Sequence, residues 1–306
     1  MTRMLQGVFT ALVTPFTADG AVDEAALRRL VRRQIDGGVA GVVPCGTTGE
    51  GATLFADEHQ RVVSVVVEEA RQGSRPVQVI AGSGSNDTQK AIDLSRRCLQ
   101  AGADALLVVT PYYNKPQQRG LAAHFRAIAE AVDLPIVLYD VPGRTGVHMQ
   151  PETVLELAAE EPFVAVKEAS GRLEDVSEIL RHRPDGFAVL SGEDSLTLPI
   201  VALGGDGVIA VVSNEAPELL VSLVEAALAG DRPRAAELHA SLLPLMRANF
   251  CESNPVPVKW ALARLGLIEP HLRLPLVPLD PANEPRIERA LEEAGLRATA
   301  EPVPVS

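Results

Sequence analysis

A lysine stands where the sequence predicts the end of a buried strand. Residues 163–166 (Phe-Val-Ala-Val) form an apolar run typical of a strand, and Lys167 follows them directly. A lysine at a strand end most often lays its stem along apolar surface and keeps its ammonium group in water. An amine that is kept dry can instead lose its proton and attack a carbonyl carbon to form a Schiff base. Lys167 alone leaves both interpretations open.

Hydroxyl groups end other predicted strands. Tyr139 ends an apolar run, and Thr47 and Thr48 lie in the glycine-flanked turn 46–49. A phenol can carry protons to and from a forming Schiff base, although a lone buried tyrosine is more often structural. The turn offers backbone N–H groups and hydroxyls that can hold a carboxylate. Together with Lys167, Tyr139 favours Schiff-base chemistry on an aldehyde or ketone, whereas the threonine turn alone is a weak signal, because Thr and Gly favour turns anyway.

Metal-dependent chemistry is disfavoured, because such enzymes need clustered histidine ligands. The six histidines are scattered and lie mostly in helix-like stretches: His59, His124, His148, His182, His239 and His271. The three cysteines, Cys45, Cys98 and Cys251, are far apart and form no CxxC pair. We therefore predict no metal site and a reducing compartment.

Composition limits the class of partner. The chain has 306 residues, of which 46% are hydrophobic and 22% charged, and its net charge is −12. That charge argues against a nucleic-acid-binding surface, which needs clustered Lys and Arg. No apolar run reaches the roughly 18 residues of a membrane span, and the N-terminal residues lack the features of a signal peptide. We predict a cytoplasmic protein that binds neither nucleic acid nor membranes.

Eight short apolar runs alternate with helix-like stretches along the first two thirds of the chain. Continuous apolar strands that alternate with helices are typical of a parallel sheet buried on both faces. The runs span residues 7–16, 38–46, 77–85, 104–113, 134–142, 163–170, 187–194 and 206–214. Eight such units predict a (β/α)8 TIM barrel. A doubly wound sheet is the alternative, but the first strand lacks the glycine-rich turn that such a sheet usually carries.

Polar, glycine and aromatic residues gather after the strands rather than before them. The C-terminal end of a TIM barrel's strands is where active sites are built, so this pattern places the candidate residues at one mouth. After about residue 215 the alternation stops and helix-like stretches follow. We predict a barrel over residues 1–230 and a C-terminal helical extension over 231–306, with a loose tail at 299–306.

Several motifs, in order, are similar to those of one family. The chain resembles the dihydrodipicolinate synthase family, in the superfamily of pyruvate-dependent class I aldolases that also contains N-acetylneuraminate lyase. The motifs that carry the resemblance are GVFTALVTPF, GTTGE, VTPYYNKP, YDVPGRTG, VKEASG, SGED, GVIAVVSN and NPVPVKWAL. The resemblance covers nearly the whole chain. It implies a TIM barrel and a covalent Schiff base on lysine, with no separate cofactor.

The resemblance also implies roles for individual residues. Lys167 matches the lysine that condenses with pyruvate, and Tyr139 matches the proton shuttle. Thr47 matches the hydroxyl that links Tyr139 to Tyr113, a tyrosine that in this family reaches in from a neighbouring subunit. Thr48 matches the residue that binds the pyruvate carboxylate. The family's usual assembly implies a homotetramer built as a dimer of dimers.

Three further residues are implied in substrate binding. The backbone carbonyl of Ile209 and Gly192 of the SGED turn match positions that line the pyruvate site. Arg144 resembles the arginine that meets the carboxylate of L-aspartate-4-semialdehyde, and arginine suits bidentate carboxylate recognition. The implied product is 4-hydroxy-tetrahydrodipicolinate, a precursor of lysine and diaminopimelate. Another pyruvate-dependent aldolase, acting on N-acetylneuraminate or a 2-keto-3-deoxy sugar acid, is the alternative, and Arg144 argues against it.

Two departures from the family affect expectations. Asp140 follows Tyr139 where many members have asparagine, a change that we expect to be tolerated. At the lysine-feedback site of sensitive members, Tyr112, Asn86 and His59 match, but Ala56 and Lys90 replace a histidine and a glutamate. Because a lysine in place of an acid repels the ammonium of the effector, we expect weak or absent inhibition by lysine.

Overall fold

The eight predicted strands form a closed parallel barrel in chain order, in a computed structural model that describes residues 5–297. Each strand pairs with its sequence neighbours, and the first closes on the last, with Val8 opposite Val208. The strands are β1 (Gly7–Ala11), β2 (Gly41–Val43), β3 (Gln78–Gly82), β4 (Ala105–Val109), β5 (Ile136–Asp140), β6 (Phe163–Glu168), β7 (Ala188–Ser191) and β8 (Gly207–Ala210). The predicted TIM barrel is confirmed.

Helices connect successive strands and surround the barrel. Aspartates cap several of them, as when the Asp23 carboxylate accepts a hydrogen bond from the backbone N–H of Ala26. The helices of the described chain are α1 (Glu24–Asp36), α2 (Ala56–Gln72), α3 (Thr88–Gln100), α4 (Gln118–Ala131), α5 (Pro142–Thr145), α6 (Pro151–Ala158), α7 (Leu173–His182), α8 (Thr197–Ala202), α9 (Pro217–Leu228), α10 (Arg232–Ala248), α11 (Val256–Arg264) and α12 (Glu284–Glu293). Within residues 5–297, no helix combines the length and the apolar character that a membrane crossing requires.

Two apolar cores hold the barrel, because neighbouring residues of a strand point to opposite faces of the sheet. The larger core lies between strands and helices. The smaller core fills the barrel interior with residues such as Phe9, Ile80, Val137 and Leu190, and it includes Tyr139. The site residues at the C-terminal strand ends therefore stand on a packed interior rather than over a pore.

The predicted C-terminal helices are present as α10, α11 and α12, and α10 packs against α9 and α12. Leu238, Leu242 and Ile287 from these helices belong to the same apolar core as the helices around the barrel. The division of the chain at residue 230 therefore stays a prediction about sequence organisation. The predicted tail at 299–306 lies outside the described residues.

Candidate active site

Lys167 and Tyr139 are neighbours on adjacent strands. They are register partners on β6 and β5, and each is only 6% exposed. The Lys167 ammonium nitrogen lies 4.4 Å from the centroid of the Tyr139 ring, which is cation–π distance. The structure thus brings together the two residues that the sequence singled out. It buries the lysine instead of letting its head reach water.

Space for the Lys167 side chain depends on Gly192, which follows β7. A Cβ atom at position 192 would lie 3.0 Å from both Cγ and Cε of Lys167 and 2.8 Å from the Cβ of Ala169. The contact with Ala169 is shorter than real Cβ contacts, and the two with Lys167 are unusually tight, so a side chain at position 192 would force these neighbours to shift. Gly192 therefore borders the side chain of Lys167, the candidate nucleophile.

The turn with Thr47 and Thr48 is held from the C-terminal part of the chain. Thr48 is buried, and its hydroxyl accepts a hydrogen bond of 3.0 Å from the side-chain amide of Asn254. Thr47, beside it, is partly exposed. An oriented hydroxyl next to a turn is a suitable ligand for a carboxylate group.

Glu50, directly after the turn, is part of a buried ion pair. Its Oε1 lies 2.6 Å from the ammonium of Lys259 on α11, and its Oε2 accepts a hydrogen bond from the backbone N–H of Arg273. Glu50 itself has left-handed backbone torsions, with φ of 52°. The ion pair fixes an unfavourable backbone conformation next to the threonines.

Burial lowers the pKa of Lys259 to about 8, although the neighbouring Glu50 carboxylate acts to raise it. A lowered pKa is typical of a nucleophilic lysine, yet the surroundings of Lys259 exclude that role. Its amine is fully buried, donates to the backbone carbonyl of Thr14 at 2.9 Å and lies over the ring of Phe16. A substrate cannot reach it, and Lys167 remains the candidate nucleophile.

An acidic residue holds the end of β8. Asp194 accepts hydrogen bonds from the backbone N–H groups of Val211 and Val212, at 3.0 and 2.7 Å. Burial raises the pKa of Asp194 to about 6, and these hydrogen bonds and the nearby Lys167 oppose that rise. The contacts fix the chain just after Ile209, which is buried on β8 within the barrel interior.

Arg144 lies on the one-turn helix α5, directly after β5. It is exposed, and its guanidinium donates to the backbone carbonyl of Asn254 at 3.3 Å. The same Asn254 bonds Thr48 through its side chain. One residue therefore links the two groups that are predicted to bind carboxylates of different substrates.

Tyr113 is not enclosed by its own chain. It follows β4 with φ of 72°, and the residue is 88% exposed. Its backbone N–H donates to the carbonyl of Thr145 at 3.3 Å, which places it next to the Arg144 helix. Lys167 and Tyr139 are therefore brought together within one chain, whereas Tyr113 is left exposed by its own chain.

Three residues that support the site were not predicted from the sequence: Asn254, Lys259 and Asp194. Asn254 lies 206 positions from the threonine that it bonds, and Lys259 lies 209 positions from Glu50. A fully buried lysine does leave a trace in the sequence, since Lys259 lies among apolar residues. Over the described part of the chain, no group of His, Cys, Asp and Glu side chains is arranged to hold a metal ion.

The comparisons with known proteins agree with one another. The family model described as "Dihydrodipicolinate synthetase family" matches residues 4–294. The 4-hydroxy-tetrahydrodipicolinate synthase of Salinibacter ruber is 52% identical over 278 residues, which are 90% of this chain and 91% of that protein.

Solved structures show the same likeness. The crystal structure of dihydrodipicolinate synthase from Aquifex aeolicus has a TM-score of 0.93 and 44% identity, covering 97% of this chain and all of that one. The chloride-inhibited dihydrodipicolinate synthase from Acinetobacter baumannii, complexed with pyruvate, has a TM-score of 0.93 and 42% identity, covering 96% and 100% of the two chains. This chain belongs to the dihydrodipicolinate synthetase family.

Proposed function

We propose that the protein is a 4-hydroxy-tetrahydrodipicolinate synthase that condenses pyruvate with L-aspartate-4-semialdehyde, in the biosynthesis of lysine and diaminopimelate. Membership of the family and the activity named for the Salinibacter ruber relative support this function. The Acinetobacter baumannii relative was crystallised with pyruvate, which supports the first substrate.

One observation carries the proposal: a buried lysine amine lies against a buried tyrosine ring at the C-terminal strand ends of a barrel. In our proposal the amine of Lys167 attacks C2 of pyruvate, and the carbinolamine loses water to give a protonated Schiff base. Loss of a proton from C3 then gives an enamine. Tyr139 is the group that would carry these protons.

Carbon–carbon bond formation follows from the enamine. Its C3 attacks the aldehyde carbon of the semialdehyde. The aldehyde oxygen takes up a proton and becomes the 4-hydroxyl group. The substrate's own amino group then attacks C2 and displaces the Lys167 amine, which closes the ring. The chain's lysine is regenerated, and the reaction needs no separate cofactor.

Carboxylate recognition is assigned to two places. Thr48, oriented by Asn254, would bind the pyruvate carboxylate, with the Ile209 carbonyl and Gly192 lining the same space. Arg144 would bind the carboxylate of the semialdehyde, because an exposed guanidinium offers two parallel donors to it.

Tyr113 would act from a second copy of the chain, with Thr47 linking it to Tyr139. The 88% exposure of this aromatic residue supports an interface at this position. We propose a homo-oligomer in which the tight dimer exchanges these tyrosines, assembled further into a tetramer. The three free cysteines, Cys45, Cys98 and Cys251, suit the cytoplasm.

Borohydride reduction in the presence of pyruvate tests the mechanism. We expect one pyruvate adduct per chain, mapped by peptide mass spectrometry to Lys167. Lys259 is the internal control, since it is buried and has a lowered pKa but is enclosed. An adduct on Lys259, or none on Lys167, would contradict the mechanism.

The second substrate needs its own assay. We expect turnover with L-aspartate-4-semialdehyde, and none with N-acetylneuraminate or 2-keto-3-deoxy sugar acids. Cleavage of either sugar acid, with no turnover of the semialdehyde, would assign the chain to another aldolase activity while leaving the Schiff base intact.

Mixing two damaged variants tests the exchanged tyrosine. K167A lacks the nucleophile, and Y113A lacks the tyrosine. If Tyr113 acts across the interface, a hybrid dimer contains one complete site, so the mixture regains activity after subunit exchange. If Tyr113 acts within its own chain, no hybrid site is complete and the mixture stays as impaired as its components.

A further inference from the structure

His148 bridges two carboxylates close to the Arg144 helix. Its Nδ1 lies 2.6 Å from Oδ2 of Asp140 on β5, and its Nε2 lies 3.0 Å from Oδ2 of Asp175 on α7. The imidazole side chain is 11% exposed and that of Asp140 is 2% exposed. Because a carboxylate only accepts hydrogen bonds, both contacts are made when the ring carries two N–H groups.

Asp140 also bonds the chain beyond the histidine. Its Oδ1 accepts a hydrogen bond of 3.0 Å from the backbone N–H of Met149. One carboxylate thus joins the end of β5 to residues 148 and 149. The intervening segment, 141–147, carries Arg144. The Asp140 side chain connects the two ends of this segment.

Hydrogen bonds within the segment, and one from helix α4 to the adjoining His148, also hold this part of the chain. The backbone N–H of Gly146 donates to the carbonyl of Pro142, and Gly146 has φ of 73°, which favours glycine. The hydroxyl of Thr145 donates to the carbonyl of Val147 at 2.8 Å. On the α4 side, the amide of Gln118 donates to the carbonyl of His148 at 2.8 Å.

These contacts lie on the outer face of the barrel sheet, away from the barrel interior. Tyr139 belongs to the barrel-interior core, and Asp140, the next residue on the strand, points to the opposite face. Its register partner on β6 is Glu168, the residue after Lys167. Burial raises the pKa of both carboxyls, and His148 opposes that rise. The histidine therefore relieves repulsion in a buried acidic pair.

We propose that Asp140, His148 and Asp175 form a positioning clamp that sets the place of Arg144 and thereby the affinity for the second substrate. This inference rests on the proposed function, because it assigns Arg144 to the carboxylate of the semialdehyde. The clamp residues do not touch the reacting atoms and act through the 141–147 segment. Asp140 stands where many family members have asparagine, and the clamp gives this aspartate a positioning role.

Single substitutions test the clamp, because they should change KM for one substrate and not for the other. In D140A, H148A and D175A, KM for L-aspartate-4-semialdehyde should rise roughly tenfold or more, since the carboxylate-binding arginine loses its fixed place. KM for pyruvate and the yield of borohydride adduct on Lys167 should stay near wild type. A merely structural role would instead raise both KM values and lower the adduct yield together.

Two variants serve as controls. D140N keeps an acceptor for the Met149 N–H and offers an amide donor to a neutral His148, so it should rescue most of the D140A defect. E174A removes an exposed acidic side chain next to Asp175 in sequence and should leave both KM values unchanged. If D140N fails while D140A folds normally, the charge rather than the hydrogen-bonding geometry is responsible, and the clamp as stated is wrong.

Hydrogen exchange of the backbone amides in 141–149 tests the clamp without any substrate. We expect faster exchange in D140A and H148A than in D140N or E174A. Unchanged exchange would overturn the clamp, as would faster exchange with an unchanged KM for the semialdehyde. If wild type does not turn over the semialdehyde at all, the proposed function fails, and the exchange measurement alone then decides whether the clamp exists.

Discussion

The ammonium of Lys259 lies 2.6 Å from Oε1 of Glu50, and the two side chains are 0% and 1% exposed. This pair joins helix α11 to the turn that holds Thr47 and Thr48. The C-terminal helices are therefore connected to the candidate site by a buried charge pair. Substitutions in this pair should affect the position of the threonine turn.

Removal of one partner should be strongly destabilising. K259M leaves Glu50 as an uncompensated buried charge, so we expect the free energy of unfolding to fall by about 3–5 kcal/mol. The double variant K259M/E50Q leaves no buried charge and should lose less than the sum of the single variants. Chemical denaturation measures both values.

The exposed pair of Arg234 and Glu237 is the matched control. Its side chains are 51% and 69% exposed, so E237A should change the free energy of unfolding by less than about 1 kcal/mol. Equal costs for K259M and E237A would show that the buried pair does not hold the turn.

Gly192 should be required for the chemistry rather than for folding. In G192A the new Cβ would lie 3.0 Å from Lys167 Cε, so the lysine side chain must shift by a few tenths of an ångström. We expect the yield of borohydride-trapped pyruvate and kcat to fall by roughly tenfold or more. The reason is that small displacements of a catalytic group from its reactive geometry slow a reaction strongly. Melting temperature reports folding separately.

G120A provides a comparison within helix α4. A Cβ there meets Pro116 at 3.3 Å, a contact that a small shift relieves, and position 120 lies outside the candidate site. This variant should keep wild-type trapping. A G192A enzyme that traps pyruvate at the wild-type rate would contradict the close fit between Gly192 and Lys167.

Asn254 should matter for pyruvate in particular. N254A removes the donor to the Thr48 hydroxyl but keeps the backbone carbonyl that Arg144 contacts. We expect KM for pyruvate to rise about tenfold, from the loss of one orienting hydrogen bond, with a smaller change in KM for the semialdehyde. N283A, which removes an amide contact to Glu252, is the control. An equal rise in both KM values would contradict the separation of the two carboxylate sites.

Residues whose position follows from strand order could be predicted from the sequence. Lys167 and Tyr139 each end an apolar run, and parallel strands in chain order necessarily place such ends side by side. Asn254 and Lys259 could not be placed in this way. Their contacts cross more than two hundred positions and depend on how the C-terminal helices pack, which no local pattern encodes. The same limit applies to Asp140, which the sequence presents only as a local substitution, without its contact to His148.

A buried histidine should make the fold sensitive to acid. Burial lowers the pKa of His124 to about 4, and its Nδ1 lies 3.0 Å from the hydroxyl of Thr88. Between about pH 6.5 and pH 4 the unfolded chain binds a proton that the folded chain does not, so stability falls as the pH is lowered through this window. The loss from this group should reach about 3 kcal/mol.

H124Q keeps a hydrogen-bonding group near Thr88 and removes the titration. The difference in unfolding free energy between wild type and H124Q should therefore change with pH between 6.5 and 4. H182Q, which removes an exposed histidine, is the control. A wild-type minus H124Q difference that is constant over this range would show that His124 is not buried in neutral form.

The region that corresponds to the family's lysine-feedback site carries a positive charge. At the positions that the family resemblance associates with feedback, Ala56 and Lys90 are both exposed, at the starts of α2 and α3. His59 is buried, its Nε2 lies 2.7 Å from the carbonyl of Gly82, and burial lowers its pKa. This region therefore presents the cation of Lys90 and no acidic partner for the effector's ammonium group among these residues.

We expect millimolar L-lysine to leave turnover unchanged in wild type. K90E reverses the charge at the proposed source of repulsion and should create or strengthen inhibition, whereas K115A, a change at another exposed lysine, should not. Wild-type inhibition by micromolar to millimolar L-lysine would contradict the prediction. Unchanged insensitivity in K90E would mean that the missing histidine at position 56, or the inward orientation of His59, is sufficient to abolish binding.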